Sequence, residues 1–145
     1  MHIIEETKMP NDIIIKRYKN CSHPDPIKKV SKLNDSRIVS SEVAIENNTR
    51  DVIVTMPNLK ESGFEDLKKI KNTNSLFLIN WSLELFDDLI KHYIVPVDIQ
   101  DANIMTDGKS LILIDYEQFW KWDRNIEAYG RWRLDQQVKV WSKKL

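Results

Sequence analysis

The sequence predicts an α+β fold, with strands at the front of the chain and helices behind them. Short β-branched runs broken by turn residues fill the stretch before Pro57, as in Ile13-Ile14-Ile15 and Val52-Ile53-Val54. After Glu61 the apolar residues recur at three- and four-residue spacing, the period of a helix with one buried face. Asp107-Gly108 then separates two short apolar runs, a strong local hairpin signal. With 145 residues, 41% hydrophobic and 30% charged, the chain is long enough for one domain with a real core.

The first predicted strand covers about 12–18, and Ser22, His23, Pro24, Asp25 and Pro26 break it. Pro26 is placed to start a short helix through Leu33, since a proline in the first turn forfeits no helical hydrogen bond. Arg37 to Glu46, with Ile38, Val43 and Ile45 apolar, reads as a strand. Asn47-Asn48-Thr49-Arg50 turns it into a second, Asp51 to Met56, which Pro57-Asn58 ends. Phe64, Leu67 and Ile70 predict a helix from Glu61. Asn72-Thr73-Asn74-Ser75 interrupts it, and Asn74 or Ser75 can cap the next one. That helix, about 76–93, carries Leu78, Trp81, Leu85, Leu89 and His92 on one face. A loop over 94–102 leads to a small hairpin of Ile104-Met105 against Leu111–Ile114. The tail from Gln118 is expected to be helical in part and broken near Gly130.

Composition excludes several function classes. The formal net charge is zero, so no overall field draws the chain to nucleic acid or to an anionic membrane. The single cysteine, Cys21, excludes an internal disulfide and a cysteine zinc site and reads as a passive thiol. His2, His23 and His92 do not have metal-ligand spacing, and His92 falls on the apolar helix face. The opening MHIIEETKMPND is too acidic and too poor in apolar residues for a signal peptide. No run approaches the roughly 18 apolar residues of a membrane span. The expected location is the cytoplasm.

The residues with chemical meaning lie between Tyr93 and Glu117, in YIVPVDIQDANIMTDGKSLILIDYE. Asn103 follows Asp98 by five residues, and Asp115 closes the apolar run Leu111–Ile114. Phosphoryl transfer needs such a set. One carboxylate sits beside the acceptor hydroxyl, while an amide and a second carboxylate hold metal on the nucleotide phosphates. Taken singly, Asp98 also reads as a turn residue bonded to its own backbone, and Asn103 as a cap or hairpin residue. A carboxylate that ends an apolar strand, as Asp115 does, needs a partner.

Asp98-Ile99-Gln100-Asp101-Ala102-Asn103-Ile104 matches the D-x-x-x-x-N-hydrophobic core of a kinase catalytic loop. Ile112 to Glu117 matches the strand and metal-binding aspartate that follow it. The chain thus resembles the protein-kinase-like superfamily. Its wording is nearer the choline-kinase and aminoglycoside-phosphotransferase type, where IDYE or IDF stands in place of DFG. The tail RNIEAYGRWRLDQQVKVW is similar to that of the small bacterial kinase-like proteins of the PhoP regulatory network. The motifs cover about 76–145, and over 1–60 the likeness is one of element order.

The resemblance implies a miniature protein-kinase-like fold forming one domain over 1–145. A reduced N-terminal β-lobe with a hinge would occupy 1–58, and a mostly helical lobe with the catalytic loop 59–145. It implies ATP and Mg²⁺ as cofactors. It makes Asp98 the catalytic residue that orients or deprotonates the acceptor hydroxyl, and Asn103 and Asp115 the metal ligands. Lys16 would meet the α- and β-phosphates as a compact point charge. Val54–Asn58, with Met56 at its centre, would be the hinge that meets an adenine edge.

The sequence departs from that pattern at four points. No glycine precedes Gly63, so a glycine-rich phosphate loop is missing. No glutamate lies between Lys16 and Glu42 to pair with the lysine from a helix, which leaves Glu42 or Glu46 as strand-borne substitutes. Pro96 stands two residues before Asp98, where a His or Tyr is usual. Asp101 reads either as a second carboxylate near the metal or as a solvated one.

The expected function is ATP- and Mg²⁺-dependent transfer of phosphate to a hydroxyl of a protein or a small molecule. The alternative is a pseudokinase-like regulatory protein that docks a partner through its C-terminal tail. Trp120, Trp122, Trp132 and Trp141 lie there among Arg124, Arg131 and Arg133, and Trp and Arg favour interface hot spots. The plainer reading packs these tryptophans onto the 76–93 helix. Asp123, Glu127 and Asp135 dilute the positive field that nucleic acid would need.

Overall fold

The computed structural model describes residues 3–9, 12–70 and 73–145; His2 and Asn72, named above, lie outside them. The front of the chain is a four-stranded antiparallel sheet in the order β1-β2-β4-β3. Its strands are β1 (Ile3–Met9), β2 (Ile13–Tyr18), β3 (Glu42–Ile45) and β4 (Val52–Pro57). In β4 every second side chain, Val52, Val54 and Met56, is buried, the period-two pattern that fixes which face meets the core. Burying each such side chain stabilises the fold by roughly 1.5–3 kcal/mol.

Helix α1 (Pro24–Ser31) lies between β2 and β3 in sequence, with proline in its first turn and Pro26, Ile27 and Val30 buried. The predicted strand from Arg37 shortens to β3, because its first residues pair elsewhere. Ile38 bridges Leu113 in parallel, the Val39 amide donates to the Leu113 carbonyl at 2.9 Å, and the Leu113 amide donates to the Arg37 carbonyl at 2.8 Å. This tie joins the front sheet to the second half of the chain.

The helix expected from Glu61 does not form. A 3-10 turn at Leu59–Ser62 ends at Gly63, whose φ of 88° is the left-handed conformation that glycine adopts without strain. The next residues are β5 (Glu65–Asp66) and a second 3-10 turn, Leu67–Lys69. Three-residue spacing also suits a chain that turns twice, and the three apolar residues do not share a face: Leu67 is buried while Ile70 is exposed.

Helix α2 (Ser75–Lys91) falls where the periodicity puts it. The Asn74 side chain caps it by accepting from the Phe77 amide at 3.0 Å, and Leu78, Trp81, Leu85 and Leu89 are buried. Beyond it, β6 (Ile94–Pro96) pairs with β9 (Phe119–Lys121), and β7 (Ile104–Thr106) with β5 and β8 (Leu111–Leu113). The Asp107-Gly108 turn holds: Gly108 has φ 94°, and the Asp107 carboxylate accepts from the amides of Lys109 and Ser110.

Helix α3 (Arg124–Ser142) runs unbroken through Gly130, contrary to the expected break. Gly130 is there for proximity. A Cβ at that position would stand 2.9 Å from Val95 Cγ1 and 3.3 Å from the Pro96 carbonyl oxygen. The helix lies hard against β6 and packs on α2. A single buried cluster runs from Tyr18 and Ile27 through Leu85 and Phe119 to Leu134 and Trp141. Among the described residues no helix is long and apolar enough to cross a membrane.

Candidate active site

Asp98 and Asn103 sit on the loop between β6 and β7, held by the 3-10 turn Asp101–Asn103. Asn103 Nδ2 donates to the Asp98 backbone carbonyl at 2.8 Å and to Asp98 Oδ2 at 2.9 Å. Gln100 Nε2 (2.9 Å) and Arg133 Nη2 (2.5 Å) both donate to Asp98 Oδ1. The Asn103 carbonyl accepts from the Ile114 amide at 2.9 Å, which fixes this loop against the segment leading to Asp115. Asp101 accepts a 2.7 Å bond from Trp141 Nε1, so its carboxylate anchors the end of α3. Pro96 is a buried residue of β6.

Asp115 follows β8. It accepts from the Tyr18 hydroxyl at 3.3 Å and from the Glu117 amide at 3.1 Å. Burial pushes its carboxyl above the usual range, and the Asp98 charge pushes the same way. The Lys16 ammonium and the Glu117 amide act in the opposite direction. Glu117 is raised too, by burial and by Asp115. Tyr18 is held far above an ordinary phenol by burial and by both carboxylates, so it stays protonated and donates to Asp115. Three carboxylates and one lysine thus share a small region, a strong field for a cation.

Lys16 is buried on β2, opposite Val54 of β4. It lines a cavity of about 160 Å³ together with Ile14, Val39, Met56, Met105 and Ile114. Both halves of the chain build these walls. A larger cavity of about 410 Å³ lies between α1 and the 34–41 segment; of the predicted hinge it meets Pro57, and it is not lined by Asp98, Asn103, Asp115, Lys16 or Met56. Lys16 has no helical glutamate partner, because α1 carries none. Neither strand glutamate replaces it: Glu46 pairs with Arg17 at 3.1 Å, and Glu42 is exposed at the start of β3. The carboxylates nearest in effect are Asp115 and Glu117, which follow β8.

His23 joins α1 to that segment. Its Nε2 bonds the Glu117 carbonyl oxygen at 2.7 Å, Nδ1 meets Ser22 Oγ at 3.1 Å, and its ring stacks on Trp120 at 3.7 Å. Sequence reading gave His23 only a breaker role and missed Arg133, Met105 and Ile114 as neighbours of the site. The last two carry a weak signal, since each is apolar and stands beside a predicted metal-ligand segment.

Among solved structures the chain is similar to the Cydia pomonella granulovirus kinase PK-1. The TM-score is 0.56 at 16% identity, over 83% of this chain and 54% of that one. The chain therefore spans about half the length of that kinase. No family model and no curated protein matches it. At this identity the likeness shows the fold, which is a small α+β kinase-like one with a β-sheet region and three helices.

Lys16 and Met56 line the 160 Å³ cavity, Asp115 feels the charges of both Lys16 and Asp98, and Asn103 is bonded to Asp98, which itself faces α3. Among the described residues no three His, Cys, Asp or Glu side chains form a ready-made metal cage. Mg²⁺ is commonly held by one or two carboxylates, waters and nucleotide phosphates instead. The raised carboxyl of Asp115, beside a second and a third carboxyl group, fits such an ion.

Proposed function

We propose that the chain is a kinase-like phosphotransferase that moves the γ-phosphoryl group of ATP to a hydroxyl acceptor. The observation that carries this reading is the Asp98–Asn103 hydrogen-bonded loop beside the buried Asp115 carboxyl, with Lys16 acting on the same carboxyl. Lys16 would meet the nucleotide phosphates, and the backbone around Met56 would meet the base at the 160 Å³ cavity. Asn103 and Asp115 would hold Mg²⁺, which when bound neutralises charge on the phosphates.

Asp98 works on the acceptor. A carboxylate oxygen accepts about two hydrogen bonds. Oδ1 already takes two and Oδ2 one, so Oδ2 keeps a position for the acceptor hydroxyl. Asn103 and Gln100 fix the carboxylate, so little reorganisation is needed when the hydroxyl arrives.

The test is thermal denaturation with and without Mg·ATP. Ligand that binds the native state must raise the midpoint. The expected shift is lost in Asp115→Ala and kept in Asp98→Ala, while Asp98→Ala lowers transfer by on the order of a hundredfold or more. No shift at millimolar Mg·ATP in the unaltered chain would sink the proposal.

The second reading, a binding protein that docks a partner through its tail, is favoured by two exposed tryptophans, Trp122 at 40% and Trp132 at 59%. Trp141 and Leu134 are buried, so that face of the tail belongs to the core. Partner binding that survives Trp122→Ala with Trp132→Ala would exclude that reading.

A further inference from the structure

The position of α3 bears on which hydroxyl Asp98 serves. The chain passes from Asp115 through β9 straight into α3, whose first residue is Arg124. With no long segment between them, α3 itself becomes the wall opposite Asp98. A pocket of about 340 Å³ lies between the two, lined by Asp98, Gln100, Trp132, Arg133, Gln136 and Val140 among others. Pockets of a few hundred Å³ suit small molecules. An extended polypeptide needs an open groove or a strand edge, and here a helix stands in its way.

The lining fixes the chemistry further. Its only charged side chains are Asp98 and Arg133, and they are paired at 2.5 Å. The pocket is therefore neutral overall and offers no unpaired charge to a cationic or anionic acceptor. Three primary amides line it, from Gln100, Gln136 and Gln137. Among the described residues, the Gln136 and Gln137 amides have no hydrogen-bond partner, while Gln100 is fixed on Asp98. An amide both donates and accepts, which matches a hydroxyl that does the same. Trp132, 59% exposed, offers a flat apolar ring beside them. A ring face flanked by free amides suits a sugar or cyclitol, with C–H bonds on one side and hydroxyls around its edge.

We propose that the pocket between α3 and Asp98 is the acceptor site, and that its acceptor is a small neutral polyhydroxylated molecule. The inference rests on the phosphotransferase reading and names its substrate class. In the transfer step the acceptor hydroxyl oxygen forms a bond to the γ-phosphorus, and the bond from that phosphorus to the β–γ bridging oxygen breaks. ADP leaves with the bridging oxygen. The acceptor proton passes to Asp98 Oδ2 and then to solvent.

The experiment uses the full chain with myo-inositol, D-ribose and D-glucose as probes, beside an equimolar mixture of Ser- and Thr-containing peptides. Calorimetric binding is measured without nucleotide, and phosphate transfer with Mg·ATP. The expected result is saturable binding of at least one polyol. Trp132→Ala and Gln136→Ala, both on the exposed face of α3, should raise its KM by about tenfold or more with kcat nearly unchanged, the mark of lost uniform binding. Polyol binding that is lost in these variants, in a chain that Mg·ATP does not stabilise, would retain the pocket and sink the phosphotransferase reading. Stabilisation by Mg·ATP with transfer only to peptides, or polyol binding indifferent to both substitutions, would overturn the pocket assignment.

Discussion

Asp115 is held in an environment that its charged form dislikes. Burial raises its carboxyl, and a raised folded-state pKa means stability that is complete below the unfolded value and lost as pH rises through the folded one. Wherever the group is ionised it therefore weighs against folding, as the proposed cation site requires. Asp115→Asn keeps an oxygen for the Tyr18 hydroxyl and the Glu117 amide and removes the charge. Without nucleotide, the variant should gain about 1 kcal/mol, a rise of roughly 2–4 °C in thermal midpoint for a chain of this size. It should also lose the Mg·ATP shift. A variant that melts lower than the parent would mean that the carboxylate is a structural partner rather than a strained ligand. At this scale the sequence was informative: Asp98 and Asn103 bond within one short loop, so their spacing alone carried their geometry. Arg133 was not legible, because it reaches Asp98 from 35 residues away on another element.

Among the elements, α3 shows what a local pattern cannot decide. Glycine inside a helical stretch reads as a breaker, since it disfavours helix by about 1 kcal/mol relative to alanine. The same atom count permits a close crossing, and only the packed structure distinguishes the two. Gly130→Ala tests which effect wins. Helix propensity alone favours the change. Against it, the new Cβ would meet Val95 Cγ1 at 2.9 Å, the Phe86 ring at 3.2 Å and the Pro96 carbonyl oxygen at 3.3 Å. Overpacking of this kind costs about 1–3 kcal/mol, and a backbone oxygen cannot swing aside. The net effect should be a loss of about 1 kcal/mol or more, read as a lower urea midpoint at unchanged m-value. An unchanged or raised midpoint would show that α3 can withdraw from β6 freely. The missing helix after Glu61 has the complementary cause. Phe64, Leu67 and Ile70 keep a helical spacing, but Gly63 turns the chain and Asp66 pairs with Met105. Strand β1 went unread because Glu5 to Met9 are exposed and carry no apolar alternation, so the segment is a strand only through its pairing with β2.

Over the whole molecule, the front sheet and the half that bears Asp98 and Asp115 are coupled without the lysine–glutamate pair that the missing helix glutamate would have supplied. Other ties join them: the backbone bonds of Leu113 with Val39 and Arg37, the Tyr18 hydroxyl on Asp115, the Tyr116 hydroxyl on the Val39 carbonyl at 2.7 Å, and His23 on the Glu117 carbonyl. His23 makes this coupling sensitive to pH. Burial lowers its pKa below the ordinary value of 6.5, with the Glu117 carbonyl only partly opposing. A lowered folded-state value means that the unfolded chain takes up the proton first as pH falls. Stability is therefore intact above about pH 6.5 and declines between there and the lower folded-state value. Denaturant midpoints measured from pH 8 downward should fall through that window in the parent chain. In His23→Gln, whose amide can still donate to the Glu117 carbonyl, the decline should flatten while the midpoint at pH 8 drops modestly through the lost Trp120 stack. An identical pH slope in the two proteins would assign the acid sensitivity to other groups and leave His23 as a packed ring alone. A flattened slope would locate the molecule's acid-labile joint where α1 meets the segment that bears Asp115.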